Sequence, residues 1–152
     1  MAPAKNTQEC KRCGTCCEKG GPSLHMADRM LIEKGAIHTR NLYTIRKGEK
    51  VRDNVLNGLM TADSDIIKIK GKDDTWTCRF YDLENNACTI YRLRPVECRV
   101  LICWDTKDIE ALYNKERLKR EDLLKEIEGL WSLIEDHGRR CSYDKMNRAM
   151  KD

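Results

Sequence analysis

Long apolar runs, aromatic side chains and paired histidines are what this chain of 152 residues lacks, and each lack excludes something. No stretch of 18 apolar residues occurs, the length that reads as a bilayer-spanning helix, so no membrane partner is expected. Met1 to Glu9 offer neither an apolar h-region nor a cleavage pattern, and the expectation is a chain that stays in the cytoplasm. Aromatics make up only 6% and charged residues 36%, which describes a thin core beneath a solvated surface. A bound metal would help to stabilise such a core. Histidine occurs at positions 25, 38 and 137 only, and the finger-like pairing of C-x2-C with two histidines is missing. A zinc module that reads nucleic acid is therefore not expected. There is no internal repeat and no low-complexity tract, and the length suits one domain spanning residues 1–152.

What the chain has is cysteine, nine in all. In a reducing compartment nine thiols are not expected to persist as disulfides, and an odd count points the same way. The formal charge of +4 assumes that all of them are neutral. Four thiolates around a zinc ion, or around a four-iron cluster with a core charge of about +2, leave a site near −2, so two such sites would cancel the excess. The basic balance therefore does not argue for nucleic acid as a partner.

Residues 10–17 read CKRCGTCC, placing Cys10, Cys13, Cys16 and Cys17 at C-x2-C-x2-C-C spacing. A two-residue gap lets a tight turn bring two sulfurs onto one metal, about 2.3 Å away. Three cysteines at this spacing also open the iron–sulfur run C-x2-C-x2-C-x3-C-P, although here the fourth follows at once and no proline comes after it. Adjacent residues point apart in helix or strand, so Cys16 and Cys17 suit two sites or one multinuclear site better than a single ion. Downstream, Cys78, Cys88, Cys98 and Cys103 supply four more thiols, twice in total what one zinc or cluster takes. Cys141 stands apart from them. Pro95 suits the first position of a helix whose first turn would carry Cys98, favouring a thiolate there, with Arg94 and Arg99 placed to donate to sulfur.

The segments CKRCGTCC (residues 10–17), CRF (78–80) and CTIYRLRPVECR (88–99) together resemble the bacterial CxxCxxCC cysteine-cluster family. That family is described as chelating zinc or iron, and flagellin lysine N-methylase is similar to it in cysteine pattern. The resemblance spans roughly residues 10–104. It implies metal-ligand roles for Cys10, Cys13, Cys16, Cys17, Cys78, Cys88 and Cys98, while Cys103 rests on local counting alone. The chain departs from the pattern with Arg79 after the cysteine and His25 where a serine or threonine cap is usual before Asp28.

The rest of the chain reads as an α+β domain of irregular topology around a metal centre. Residues 1–22 read as a loop wrapped around its own ligands, followed by a short helix from about Leu24 to Lys34 ended by Gly35. A hairpin is expected between Leu42–Ile45 and Val51–Val55, turning at Lys47 and Gly48. Next come a strand holding Ile67 and Ile69, a strand with Trp76, Cys78 and Phe80 on one face, and a third with Cys88 and Ile90. Two C-terminal helices are expected over residues 105–138, the second from the apolar spacing of Leu123, Ile127, Leu130, Trp131 and Ile134. Trp76, Phe80 and Trp104 read as packing around the cluster, and His137 as complementing a helix C-terminus.

The function expected is metal binding: iron, as an iron–sulfur cluster, is favoured over zinc because x2-spaced and adjacent thiols suit a multinuclear centre, with electron transfer or redox work as its use. A protein partner is compatible with that use. The alternative, implied by the resemblance, is a flagellin-type protein-lysine N-methyltransferase, for which no methyl-donor site is recognisable.

Overall fold

A computed structural model describes residues 9–151. The expected loop over residues 1–22 falls partly outside them, and its described part is not all loop. Gly14, at φ 78°, starts a single helical turn, α1 (Thr15–Glu18), closed by the amides of Glu18 and Lys19 on the carbonyls of Gly14 and Thr15. Cys16 and Cys17 therefore ride on helix.

Ser23 and His25 are extended and bridge to Lys68 and Arg117 respectively, so the next helix starts later than expected. A 3-10 turn at Met26–Asp28 runs into α2 (Arg29–Glu33), and Gly35 ends it at φ 77° as expected. The expected hairpin turning at Lys47 and Gly48 does not form. Instead β1 (Leu42–Ile45) pairs with β4 (Ile66–Ile69), and β2 (Lys50–Asp53) pairs with β3 (Gly58–Thr61), both antiparallel. Leu42 faces Ile69 and Lys50 faces Thr61, so the two ladders keep one register and form a single long ribbon with a break in each arm. Its tip is at residues 54–57, where Asp53 Oδ1 accepts the amides of Val55 and Leu56 and Asn57 takes φ 53°. A carboxylate that holds two turn amides specifies a reversal better than Lys47-Gly48 can.

The strand expected through Trp76, Cys78 and Phe80 is absent too. Lys72 N–H reaches Thr77 O, Arg79 N–H reaches Lys70 O and Cys78 N–H is taken by Cys17 O, which leaves only a Gly71–Cys78 bridge. Trp76 is 76% exposed, and Trp104 is exposed as well, so of the three aromatics expected around the cluster only Phe80 packs inward. β5 (Tyr81–Asp82) and β6 (Ala87–Cys88) make a short hairpin with Asn86 at φ 47°, and Ile90 leaves it for a 3-10 turn at Tyr91–Leu93.

The C-terminal region holds α3 (Val96–Val100), α4 (Lys107–Leu112), α5 (Arg120–Leu124), α6 (Leu130–Arg140) and α7 (Tyr143–Lys151). The helix expected through residues 123–134 is broken because Gly129 takes φ 77°, and α7 lies beyond the expected limit of 138. α7 rests on the turn between β1 and β2: Tyr143 OH donates to Glu49 Oε2, and the Arg46 guanidinium lies 5.2 Å from the Tyr143 ring. The architecture is thus α+β, with three two-stranded antiparallel pairings where one sheet was expected. Among the described residues no helix is long and apolar enough to cross a membrane.

The core is small: Leu24, Ile37, Ile67, Ile69, Tyr81, Leu118 and Cys78, with Cys17, Phe80 and Ile90 among the residues packed against it. Two cysteines are therefore part of the packing. A Cβ on Gly21 would meet the backbone carbonyl of Ile69, which cannot swing away, whereas one on Gly58 would enter open space. Gly21→Ala should therefore lower stability by about 1–3 kcal/mol as overpacking does, while Gly58→Ala should be neutral or stabilise by up to about 1 kcal/mol. Urea denaturation of the two variants side by side checks this ordering.

Candidate metal centre

The eight cysteines singled out from the sequence fall into three groups. Cys17, Cys78, Cys88 and Cys98 are buried or half-buried, and Cys16 lies beside them with an exposed edge. The Cys17 and Cys78 segments are tied by a backbone bond, Cys78 N–H to Cys17 O at 2.8 Å, and the Cys78 and Cys88 segments by the β5–β6 hairpin and Thr89 N–H to Phe80 O. The five thiols feel one another's charge: Cys17 senses Cys16, Cys78 and Cys98, while Cys98 senses Cys78, Cys88 and Cys16. Cys16 is exposed and Cys17 half-buried on α1, and both lie within charge range of Cys78 and Cys98. Cys10 and Cys13 are exposed on the loop before α1. Cys13 lies within charge range of Cys16, and Cys10 Sγ accepts the amide of Arg12. Cys103 is exposed in the Ile102–Asp105 turn, and Cys141 follows α6, its carbonyl accepting from Arg46.

Gly14 explains how the first segment closes on the third. Its positive φ starts α1, and a Cβ there would collide with the Tyr81 hydroxyl. Tyr81 is buried and its OH bonds Asn86 Oδ1 at 3.1 Å, so the CxxCxxCC turn sits directly on the β5–β6 hairpin that delivers Cys88. On the outer side, Arg94 stacks on Tyr91 at 3.8 Å and Arg12 approaches the same ring at 6.0 Å. Arg94 Nε is buried without a hydrogen-bond partner. Arg94 is extended and Pro95 caps α3, so this motif sets the turn that presents Cys98.

The electrostatics are those of crowded thiols. Burial pushes Cys98 up to about 12, helped by the charges of Cys78 and Cys88, and it raises Cys78 as well. The thiolate expected at Cys98 from a helix N-terminus is thus overridden, because five residues of α3 offer less than burial and neighbouring sulfurs take away. Between the adjacent pair, the hydrogen bond from Cys17 lowers Cys16, while Cys17 is raised by holding that proton, then by burial and the surrounding thiols. The bond to Thr15 lowers Cys13.

Sequence reasoning missed a polar network behind the thiols, although it marked His25 as a departure. His25, 1% exposed, bonds Glu97 Oε1 through Nε2 at 2.8 Å and Lys115 O through Nδ1 at 2.6 Å. Glu97 Oε2 accepts Ser23 N–H at 2.9 Å. Asp28, fully buried, accepts His25 N–H and Val96 N–H, at 2.9 and 2.8 Å. The signals in the sequence were His25 at the cap position before Asp28 and Glu97 lying beside Cys98.

The donor set fits a metal that prefers sulfur, since five thiols gather where four satisfy a zinc ion or a cluster. Among the described residues no three ligating side chains already stand together as a preassembled ion site. Two open grooves elsewhere, one beside Tyr143 and one beside Tyr113, are lined by no cysteine.

With this geometry in view, comparison with known proteins defines the class. The sequence model of the CxxCxxCC family, described as "Putative zinc- or iron-chelating domain", matches residues 9–125. The chain belongs to that family. No curated protein and no solved structure matches it. The match ends before α6, so α6 and α7 lie outside the matched residues.

The network makes stability depend on pH. Burial alone would depress His25, but the bonds to Glu97 and Lys115 O and the charges of Glu97 and Asp28 outweigh it, and its pKa is raised above 6.5. Its contribution is fully present below 6.5 and is lost as pH rises through the higher folded value. The stability difference between wild type and His25→Gln, measured by urea denaturation in the same metal state at each pH, should shrink from pH about 5.5 to about 8.5. A difference that grows with pH would show His25 held neutral.

Proposed function

We propose that this chain binds iron through its clustered cysteines, as an iron–sulfur centre with electron transfer or another redox step as its use. The observation that supports the reading most is the convergence of Cys16, Cys17, Cys78, Cys88 and Cys98, in range of one another's charge, on a family member's fold. Buried thiols with raised pKa values lose their protons only if positive charge replaces them, and a bound iron centre supplies that charge together with a reversible electron. The chain's own residues do the rest. Cys17, Cys78, Cys88 and Cys98 offer the buried sulfurs, Cys16, Cys13 and Cys10 extend the set toward solvent, and Phe80 and Ile90 keep water from the inner side. Cys103 joins as the outermost candidate.

Iron is favoured over zinc because the five thiols in range of one another exceed the four of a closed structural zinc site. The methyl-transfer alternative draws no support from the two grooves, which are lined by no cysteine.

Anaerobic purification followed by metal and acid-labile sulfide analysis with an absorption spectrum tests the proposal. Iron with matching sulfide and a broad visible band is expected, and colourless protein with stoichiometric zinc would replace iron by zinc. Cys17→Ser and Cys98→Ser should each lose most of the metal, whereas Cys141→Ser should retain it. Metal unchanged in both of the first two variants would dismantle the ligand set.

A further inference from the structure

The buried network around Glu97 costs the protein two ionised or polar side chains that a core this small has little reason to bury. A buried ion pair contributes little net stability compared with apolar packing, and its best-attested use is to fix register between segments. Here the segments are those that carry the cysteines. Ser23 to Asp28 follow Cys17 by six residues, and Val96 and Glu97 immediately precede Cys98. The first segment is itself pinned, with Leu24 N–H on Ile67 O and Leu118 N–H on Leu24 O. Against that fixed strand, Asp28 Oδ1 holds the first amide of α3, and Glu97 is held on both carboxylate oxygens, by Ser23 N–H and by His25 Nε2. His25 is in turn oriented by Lys115 O. Two consecutive residues of a five-residue helix are thereby clamped, so the next residue, Cys98, has no freedom to drift.

We infer that Asp28, His25 and Glu97 are positioning residues of the cysteine centre: they set the place of Cys98 relative to Cys17 and Cys78 and so determine how tightly the sulfurs hold a metal. No member of the trio touches the metal. The inference rests on the proposed function, since it presumes that these cysteines are ligands. It explains why a histidine stands at position 25: a serine or threonine could cap the turn but could not reach Glu97 while also bonding Lys115 O.

Cobalt(II) is the probe, because its visible bands report sulfur ligation. The reduced full-length chain is loaded with cobalt, and the spectrum and the rate of release to excess EDTA are recorded for wild type, Glu97→Gln, Asp28→Asn and the control Ile37→Val. Ile37 is fully buried in the core and lies on neither clamped segment, so the control loses stability without loosening α3. Glu97→Gln and Asp28→Asn should release cobalt about 10–100-fold faster than wild type, with altered charge-transfer bands. Ile37→Val should keep the wild-type spectrum and release within about threefold of wild type. Glu97→Asp, which restores the charge, should recover part of the loss, and it stands in if Glu97→Gln does not fold. Release rates and spectra in the network variants no different from those of Ile37→Val would overturn the inference while leaving cysteine ligation intact. Failure of wild type to take up cobalt with sulfur-type bands would instead strike the proposed function itself.

Discussion

The amide of Cys78 donates to the carbonyl of Cys17, and most of this structure depends on what that one bond joins. On one side is a cysteine-rich turn that has no apolar pattern to order it, and on the other is a short segment threaded into the core. The bond brings sulfurs from distant parts of the chain into one crowded place, with Cys78 counted among the core residues and Cys17 packed against them. Crowded thiols resist ionisation, since each thiolate raises the cost of the next. The same crowding would become favourable once a cation sat among them, which would couple metal binding to the fold through charge.

Two devices hold the cysteine-bearing segments in register. Gly14 lets the first turn lie flat on Tyr81, where any side chain would collide, and the Asp28–His25–Glu97 network fixes α3 from behind. Both act at the backbone, close to a cysteine yet without using its sulfur. The long ribbon of β1 to β4 contributes Ile67 and Ile69 to the core against which Cys17 packs. Helix α7, outside the family match, meets the turn between β1 and β2 through Tyr143, which bonds Glu49 and lies against Arg46.

The chemistry of the chain was legible in its sequence because cysteine spacing is local and chemically specific. CKRCGTCC and CTIYRLRPVECR mark the zinc- or iron-chelating family whatever the surrounding topology. The turn signals were legible where a residue's own backbone preference decides, as at Gly35 and Asn86. Pairing was not. Leu42–Ile45 prefers Ile66–Ile69 over its sequence neighbour because the Asp53 turn reverses the chain first, and no period in the sequence states which of two candidate turns wins. Likewise Gly129 breaks a faultless apolar spacing, and the alternation of Trp76, Cys78 and Phe80 is overruled by hydrogen bonds to distant partners. The His25 network escaped notice because its members are separated by about seventy positions, and each alone reads as an ordinary polar residue.

X-ray absorption at the edge of the metal found in anaerobically purified protein tests the central claim most directly. The account expects a first coordination sphere dominated by sulfur at about 2.3 Å. A sphere made only of nitrogen or oxygen at about 2.0–2.2 Å would contradict it.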